Sequence, residues 1–220
     1  MGLREQKKDQ TRQLIADTAW RLFADRGFDS VSVAEIAREA GVSEATAFNY
    51  FRTKEDMFFF RLEASGSRII DAVRTRPAGE PVLTAVRRYM LMAGGQLAKA
   101  AAGDGVALTR LRTVNRVIAA SPALLARERQ AMAGTSDALA DLIIAEFGHA
   151  GDPVGAHVAA NALVGAQSAL IAYVRQLVLA GADPAEIAAD LRQATTRALA
   201  VLEHGLGDYA RRPAHNAPPG

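Results

Sequence analysis

The chain has 220 residues, half of them hydrophobic, and its 26 basic and 24 acidic residues give a formal net charge of +2. It contains no cysteine, which excludes a disulfide framework, a cysteine nucleophile and thiolate-bound zinc or iron–sulfur sites. The first dozen residues are polar, and charged or polar side chains interrupt every long apolar stretch. We therefore expect neither a signal peptide nor a membrane span, but a cytoplasmic protein.

Apolar residues recur at helical spacing along the whole sequence, and no convincing alternating pattern of the strand type is visible. Prolines stand between the apolar-periodic segments, where helices begin and end. The pattern predicts an all-α protein of about nine helices. They cover residues 8–26, 32–39, 43–50, 54–75, 81–101, 105–119, 122–147, 154–180 and 184–206.

The character of the predicted helices changes near residue 52. Before this point the helices are short and joined by tight turns, whereas beyond it they are long and rich in alanine. This change predicts a small N-terminal domain at residues 1–52 and a larger helical domain at residues 53–208. The proline-containing end of the chain, residues 209–220, is predicted to be a flexible tail.

The segment at residues 31–56, VSVAEIAREAGVSEATAFNYFRTKED, contains three helix caps in close succession. Residues 32–35 and 53–56 have the capping-box spacing, with a hydroxyl side chain three positions before an acidic one. Ser43 can cap the helix between them. Gly41 can end the preceding helix in a left-handed conformation without Cβ strain. Short helices joined by such a glycine turn are typical of a helix-turn-helix.

The predicted helix at residues 44–50 has side chains that suit a DNA major groove, where the N-terminal residues of a recognition helix meet base edges. Ala45 permits close approach, Thr46 can touch a thymine methyl group, and Asn49 can pair with adenine. Neighbouring polar side chains suit phosphates, and the basic residues within 4–12 are expected to form an arm that adds salt-dependent affinity. The predicted DNA-binding residues are Ser32, Ser43, Glu44, Ala45, Thr46, Phe48, Asn49, Tyr50, Thr53 and Lys54.

The segment from Thr11 to Phe59 resembles the DNA-binding domain of the tetracycline-repressor (TetR) family of bacterial regulators. The sequence departs from the family pattern at Ala47, where a larger aliphatic residue is usual, and at Arg52, where proline is frequent. The resemblance covers less than a quarter of the chain. It is carried by Ile15, Ala19, Leu22, Phe23, Gly27, Phe28, Ser32, Val33, Ile36, Ala37, residues 40–43, Thr46, residues 48–51 and residues 53–56.

The resemblance implies an N-terminal three-helix helix-turn-helix domain and a C-terminal helical bundle for ligand binding and dimerisation. Such proteins are homodimeric repressors that leave a palindromic operator when a small hydrophobic ligand binds. We therefore expect double-stranded DNA, a second copy of the chain and a small ligand as partners, with no cofactor, metal or membrane. A ligand-independent or activating DNA-binding regulator and a helical dimeric scaffold protein are the alternatives.

An enzyme is disfavoured because the sequence has no HExxH pair, no phosphate-binding glycine-rich loop with lysine and no GxSxG elbow.

Small side chains at helical spacing in residues 154–180 suit close packing with residues 184–206, either across a dimer or within one subunit. Trp20 is expected to pack in the core, and residues 57–60 are expected to pack there rather than line the bottom of a pocket. Gly94 and Gly95 are expected to kink a helix and make room for a pocket.

Polar residues within the apolar helices are the candidates for the ligand site. Arg112 and Arg116, together with Arg110, could instead form a solvated face. His157 and Asn161 could instead form a buried pair or a dimer hydrogen bond. Residues 112–129 resemble a TetR subgroup whose ligands are acyl-CoA-like, and a pocket with an arginine-bearing mouth would suit them. The predicted ligand-binding residues are Arg112, Asn115, Arg116, His157 and Asn161.

Overall fold

A computed structural model of the chain describes residues 3–60, 67–92, 95–147 and 152–205, and this part of the chain forms eleven α-helices and no strand. Each of the two predicted helices at 54–75 and 81–101 corresponds to two of the eleven observed helices. Residues 61–66 and 93–94, between the members of each pair, lie outside the described residues. The predicted tail at 209–220 also lies outside them. The helices are α1 (Leu3–Arg26), α2 (Val33–Glu39), α3 (Glu44–Tyr50), α4 (Lys54–Phe59), α5 (Ser67–Arg74), α6 (Val82–Met92), α7 (Gly95–Ala101), α8 (Gly105–Ala120), α9 (Pro122–Phe147), α10 (Pro153–Leu179) and α11 (Pro184–His204).

Aspartate caps followed by proline begin the last two helices. The Asp152 carboxylate accepts a hydrogen bond from the Val154 amide at 3.0 Å at the start of α10. At the start of α11, the Asp183 carboxylate accepts from the amides of Ala185 and Glu186 at 2.8 and 3.3 Å. Each cap satisfies amides that have no partner within the helix, and the following proline has no amide hydrogen to leave unsatisfied.

The first hydrophobic core joins α1–α4 to the end of α8 and the start of α9. Aromatic rings form its centre, with ring centroids 4.9 Å apart for Phe23 and Phe28 and 5.5 Å apart for Trp20 and Phe58. Met57 is fully buried in the same core. The predicted core packing of Trp20 and residues 57–60 is thus confirmed. Three residues from the C-terminal helices complete this core, namely Val117, Ile118 and Leu124.

A second core lies between α5, α6, α9, α10 and α11. Its fully buried side chains include Ile69, Val86, Leu139 and Leu199. A smaller cluster joins α7, α10 and α11 through Leu97, which is also buried. Burial of each large aliphatic side chain contributes about 1.5–3 kcal/mol, so these helices depend on one another for stability.

The longest helix, α10, has an apolar face that the described part of its own subunit does not cover. Val154 and Val158 are 73% and 64% exposed, and Leu179 at the other end is 49% exposed. By length and composition alone α10 could cross a membrane, but a single helix of this kind is weak evidence for a span. The exposed face continues with small side chains at residues 161, 165, 168 and 172, at the alternating spacing of four and three that places residues on one side of a helix.

Candidate nucleic-acid interface

The caps predicted for the helix-turn-helix are present, and together they fix the position of α3. The Ser32 hydroxyl accepts from the Glu35 amide at 3.2 Å, and the Glu35 carboxylate accepts from the Ser32 amide at 2.9 Å. Gly41 has φ +68°, so α2 ends there in the left-handed region. The Ser43 hydroxyl then accepts from the Thr46 amide at 3.0 Å and lies 2.7 Å from the Thr46 hydroxyl.

Hydrogen bonds to the Glu35 carboxylate from the Ser32 amide, and then from Arg26, lower the pKa of this glutamate. The ionised form of Glu35 is therefore favoured in the folded protein, and it holds the start of α2 in place. This contact also joins α2 to the end of α1, because Arg26 is the last residue of that helix.

Helix α3, the predicted recognition helix, turns one face to the core and the other to solvent. Ala47 is fully buried and Phe51 is 3% exposed, as the sequence predicts. The small Ala47 side chain thus belongs to the packed core. Asn49 is exposed and Phe48 is 46% exposed, whereas Tyr50 is half-buried against the core. The other exposed or half-exposed residues of the predicted DNA-binding set near this face are Ser32, Ser43, Glu44, Ala45, Thr46 and Thr53.

Lys54 has structural contacts that the sequence did not indicate. Its ammonium group donates to the carbonyls of Phe28 and Val31 at 3.0 and 2.9 Å, and lies 4.2 Å from the centroid of the Phe28 ring. These contacts tie the start of α4 to the loop that leads into α2. An ammonium group has three donors, so one is left for a phosphate.

The basic residues near the N-terminus lie on the first turns of α1, which begins at Leu3 rather than at residue 8. The described structure therefore has a helix where the sequence suggested an arm. Lys7 and Lys8 are exposed. The Arg12 guanidinium lies 4.6 Å from the centroid of the Phe60 ring, which is within cation–π range.

Polar contacts connect the helix-turn-helix to α9 and to the turn before it. The Asp56 carboxylate accepts from the Thr53 amide at 3.2 Å through one oxygen and from Arg127 on α9 at 3.3 Å through the other. The Ser121 hydroxyl donates to the Asp29 carboxylate at 2.8 Å. The cap of α4 is thus shared with a helix of the C-terminal part of the chain.

Helix α8 makes a second connection, this time to α1. The Arg116 guanidinium donates to the Ala24 carbonyl at 3.0 Å. One and a half turns earlier on α8, the Arg110 guanidinium lies 5.5 Å from the centroid of the Trp20 ring. Sequence reasoning missed these roles because nothing in a single sequence pairs residues about ninety positions apart.

The same helix borders a cavity of about 390 Å³ between α5, α6, α7, α8, α10 and α11. Gly95, with φ +36°, begins α7 at the wall of this cavity. Its position supports the predicted break in the helix at 81–101, although Gly94 lies outside the described residues. The cavity is lined by the apolar residues Met90, Leu97, Leu111, Val114, Leu170, Ile171, Val174 and Leu191, and by the polar residues Arg68, Tyr89, Gln96, Asn115, Gln167 and Thr195.

Of the five predicted ligand-binding residues, the structure places only Asn115 in the cavity wall. Its side-chain amide donates to the Leu111 carbonyl at 2.8 Å. Arg112 is exposed, and Arg116 is exposed and contacts α1. The other two residues, His157 and Asn161, lie on α10 and are both exposed. Asn161 accepts a hydrogen bond from Ser136 at 2.8 Å and not from His157.

Two polar residues of the cavity wall that the sequence did not single out have unusual surroundings. Tyr89 is half-buried, and burial raises the pKa of its phenol, although the nearby charge of Arg68 acts in the opposite direction. The Gln167 side-chain oxygen is buried with no hydrogen-bond partner among the described residues. Neither signal was readable from the sequence, because each depends on how six helices pack.

Comparison with known proteins agrees with this geometry. The family model described as bacterial regulatory proteins, tetR family, matches residues 15–59, which run from α1 through the helix-turn-helix to the end of α4. The match includes all ten of the residues that the sequence predicts to bind DNA.

Solved structures share the fold over most of the chain. NalD of Pseudomonas aeruginosa, described as the secondary repressor of the MexAB-OprM multidrug efflux pump, is 20% identical. The alignment covers 86% of this chain and 97% of NalD, with a TM-score of 0.54. A Rhodococcus sp. protein assigned to the TetR-family transcriptional regulators is 16% identical over 86% of this chain and 99% of its own, with a TM-score of 0.50. The helix-turn-helix of this chain therefore matches the tetR family of bacterial regulatory proteins over residues 15–59, and the chain shares its fold with these solved structures.

Proposed function

We propose that the protein is a repressor that binds a palindromic operator as a homodimer and leaves it when a small hydrophobic ligand binds. The observation that carries this proposal is the position of α8. One part of this helix borders the cavity, and the next part belongs to the core of the helix-turn-helix.

Recognition of DNA is assigned to α3 and its surroundings. Its exposed Asn49 and Phe48, together with the half-exposed Thr46, form a surface free to enter a major groove. Hydroxyls at the starts of α2 and α4 would hold phosphates and fix the orientation of α3. We propose residues 1–52 as the DNA-binding domain and residues 53–208 as the ligand-binding and dimerisation domain, with α4 packed against the first.

A homodimer would cover the exposed face of α10. Two valines more than 60% exposed near the start of this helix are unusual for a surface that stays in water. The small residues that follow them would let a partner helix approach closely, and α11 lies beside α10 to widen the contact. The twofold symmetry of such a dimer matches a palindromic operator with half-sites about 34–36 Å apart.

Ligand control would pass along α8. Leu111, Val114 and Asn115 line the cavity, and Val117 and Ile118 are buried against the helix-turn-helix only one turn later. At about 1.5 Å of rise per residue, these two groups lie only a few ångströms apart along one rigid element. A ligand that displaces α8 would therefore also displace α1 and the recognition helix, and the dimer would lose its operator spacing.

The ligand itself is proposed to be small and largely apolar, because aliphatic side chains dominate the cavity wall. An acyl-CoA-like compound is one candidate. The predicted contacts from Arg112 and Arg116 would need these side chains to move, since Arg68 is the arginine that lines the cavity.

Selection from random duplex DNA by the purified protein tests the proposal. We expect an enriched inverted repeat and a dimer mass by light scattering. Repeating the selection with protein that has been denatured and refolded removes any ligand retained during expression. No enrichment by the refolded protein at low salt would favour the scaffold alternative. An operator complex that survives every ligand that fills the cavity would favour a ligand-independent regulator.

A further inference from the structure

The cavity between α5 and α11 has a charged end. Arg68 and Tyr89 line both this cavity and a neighbouring one of about 420 Å³, so they lie where the two meet. The second arginine at this position, Arg88, is paired with Glu80 at 2.6 Å. Arg68 is exposed and has no carboxylate partner in the described parts of the chain. Among the residues that the structure describes, the junction therefore has an excess of one positive charge.

The rest of the cavity wall is aliphatic except for a few polar groups. Among these, the Gln167 oxygen is an acceptor that is shielded from solvent and has no donor in the described structure. A buried acceptor without a donor is costly, and a hydroxyl or amide hydrogen on a ligand would remove that cost once the Gln167 side chain rotates its oxygen toward the cavity. The wall thus presents three features to a ligand: a cation at the junction, an aliphatic surface and an unmatched acceptor.

We propose that the ligand is an amphipathic acid, with a carboxylate at Arg68, an apolar body along the aliphatic wall and a hydrogen-bond donor directed to Gln167. This inference rests on the proposed function, since it names the chemistry of the same ligand site. The volume of about 390 Å³ lies at the small end of the range for ligand pockets, about 300–1,000 Å³. A molecule of the size of decanoate fits this volume, whereas the nucleotide of a coenzyme A thioester would stay outside.

The charge requirement is tested by calorimetric titration of the refolded full-length protein with decanoate, decanol and decylamine. These three probes share an apolar chain and differ in the charge at one end. We expect decanoate to bind about five- to ten-fold more tightly than either of the others. Arg68→Gln should weaken decanoate binding about five- to ten-fold and leave decanol unchanged, because the guanidinium is partly in water and its attraction is screened.

Matched variants separate charge from folding. Arg68→Lys keeps the charge and should stay within about three-fold of the wild type for decanoate. Arg74→Gln removes an exposed arginine from the same helix, outside the cavity, where the guanidinium is paired with Asp71, and should leave binding unchanged. Equal affinity for decanoate and decanol, or equal loss in the two glutamine variants, would overturn the proposal.

The role of Gln167 is tested with ω-hydroxydecanoate. We expect this hydroxy acid to bind more tightly than decanoate to the wild type, and the preference to disappear in Gln167→Met, which keeps the size of the side chain and removes the acceptor. A preference that persists in Gln167→Met would show that the hydroxyl does not meet this residue, and would overturn that part of the proposal.

Decanoyl-CoA distinguishes a free acid from its thioester as the source of the anion. Tighter binding of the free acid, with dependence on Arg68, supports the proposal, whereas tighter binding of the thioester that does not depend on Arg68 overturns it. Gel shifts on the selected operator separate this inference from the proposed function. If acids bind through Arg68 without releasing DNA, ligand-driven release is refuted and the acid proposal stands. If decanol releases DNA and decanoate does not, the acid proposal is refuted and ligand-driven release stands.

Discussion

Removal of the Lys54 ammonium group should destabilise the protein far more than is usual for a lysine near the surface. In Lys54→Met the aliphatic stem is largely kept, but the donors to the Phe28 and Val31 carbonyls and the cation over the Phe28 ring are lost. A hydrogen bond to a charged group contributes about 1.5–3 kcal/mol, and a partly exposed cation–π contact about 0.5–1 kcal/mol.

Both hydrogen bonds are only partly buried, so water can replace part of the lost interaction, and the net loss falls somewhat below the combined lower ends of these ranges, about 3.5 kcal/mol. We expect a loss of about 2–3 kcal/mol in the free energy of unfolding. For a chain of this size, that corresponds to a decrease of about 4–12 °C in the melting temperature. The assay is thermal and urea unfolding at one protein concentration, because the stability of a dimer depends on concentration.

Lys8→Met, at an exposed position on α1, is the matched control and should change the melting temperature by no more than a degree or two. A loss below about 0.5 kcal/mol in Lys54→Met would refute the structural role of the ammonium group. The DNA-binding role is a separate measurement: if Lys54 also neutralises a phosphate, Lys54→Ala should weaken all DNA sequences alike and lower the salt slope by about one unit. An unchanged slope would leave only the structural role.

Three further predictions concern the recognition helix, the cap of α2 and the dimer. Asn49→Ala should relax the base preference at one operator position by about 1–3 kcal/mol, and an unchanged preference after selection and sequencing would contradict the base contact. Because hydrogen bonds lower the folded-state pKa of Glu35, its stabilisation should be present above about pH 4.3 and be lost as the pH falls below it. Unfolding of Glu35→Gln should accordingly depend less on pH in this acidic range, and identical pH profiles would argue against the cap. Val158→Asp should give a monomer by light scattering, whereas the control Val106→Asp, on a residue 80% exposed on α8, should remain a dimer.

The parts of the fold that follow from local rules could be predicted from the sequence. Caps such as Ser32 and Ser43, and the left-handed turn at Gly41, depend on a few neighbouring residues, and the structure confirms them. The inward positions of α3 follow from helical spacing, and Ala47 and Phe51 lie in the core as expected.

The wall of the cavity could not be predicted in this way. Asn115 was identified because it interrupts an apolar helix, but Arg112 and Arg116 have the same pattern and lie on the outer face of α8. Arg68 and Gln167 reach the cavity because α5 and α10 pack around it, and this depends on contacts between residues far apart in the chain. For the same reason, the sequence did not reveal that the Lys54 ammonium would bind carbonyls more than twenty residues away.

The core that α4, α8 and α9 share with the helix-turn-helix restricts how this protein can be recombined with others. A fragment that ends at residue 52 would lose Met57 and Phe58, and would leave Phe23 and Phe28 facing water. Val117, Ile118 and Leu124, which close the same core from the other side, would also be absent. A hybrid protein that joins this helix-turn-helix domain to the ligand-binding domain of another protein would therefore need to include α4, the end of α8 and the start of α9. Otherwise, the surface that these segments cover would have to be redesigned.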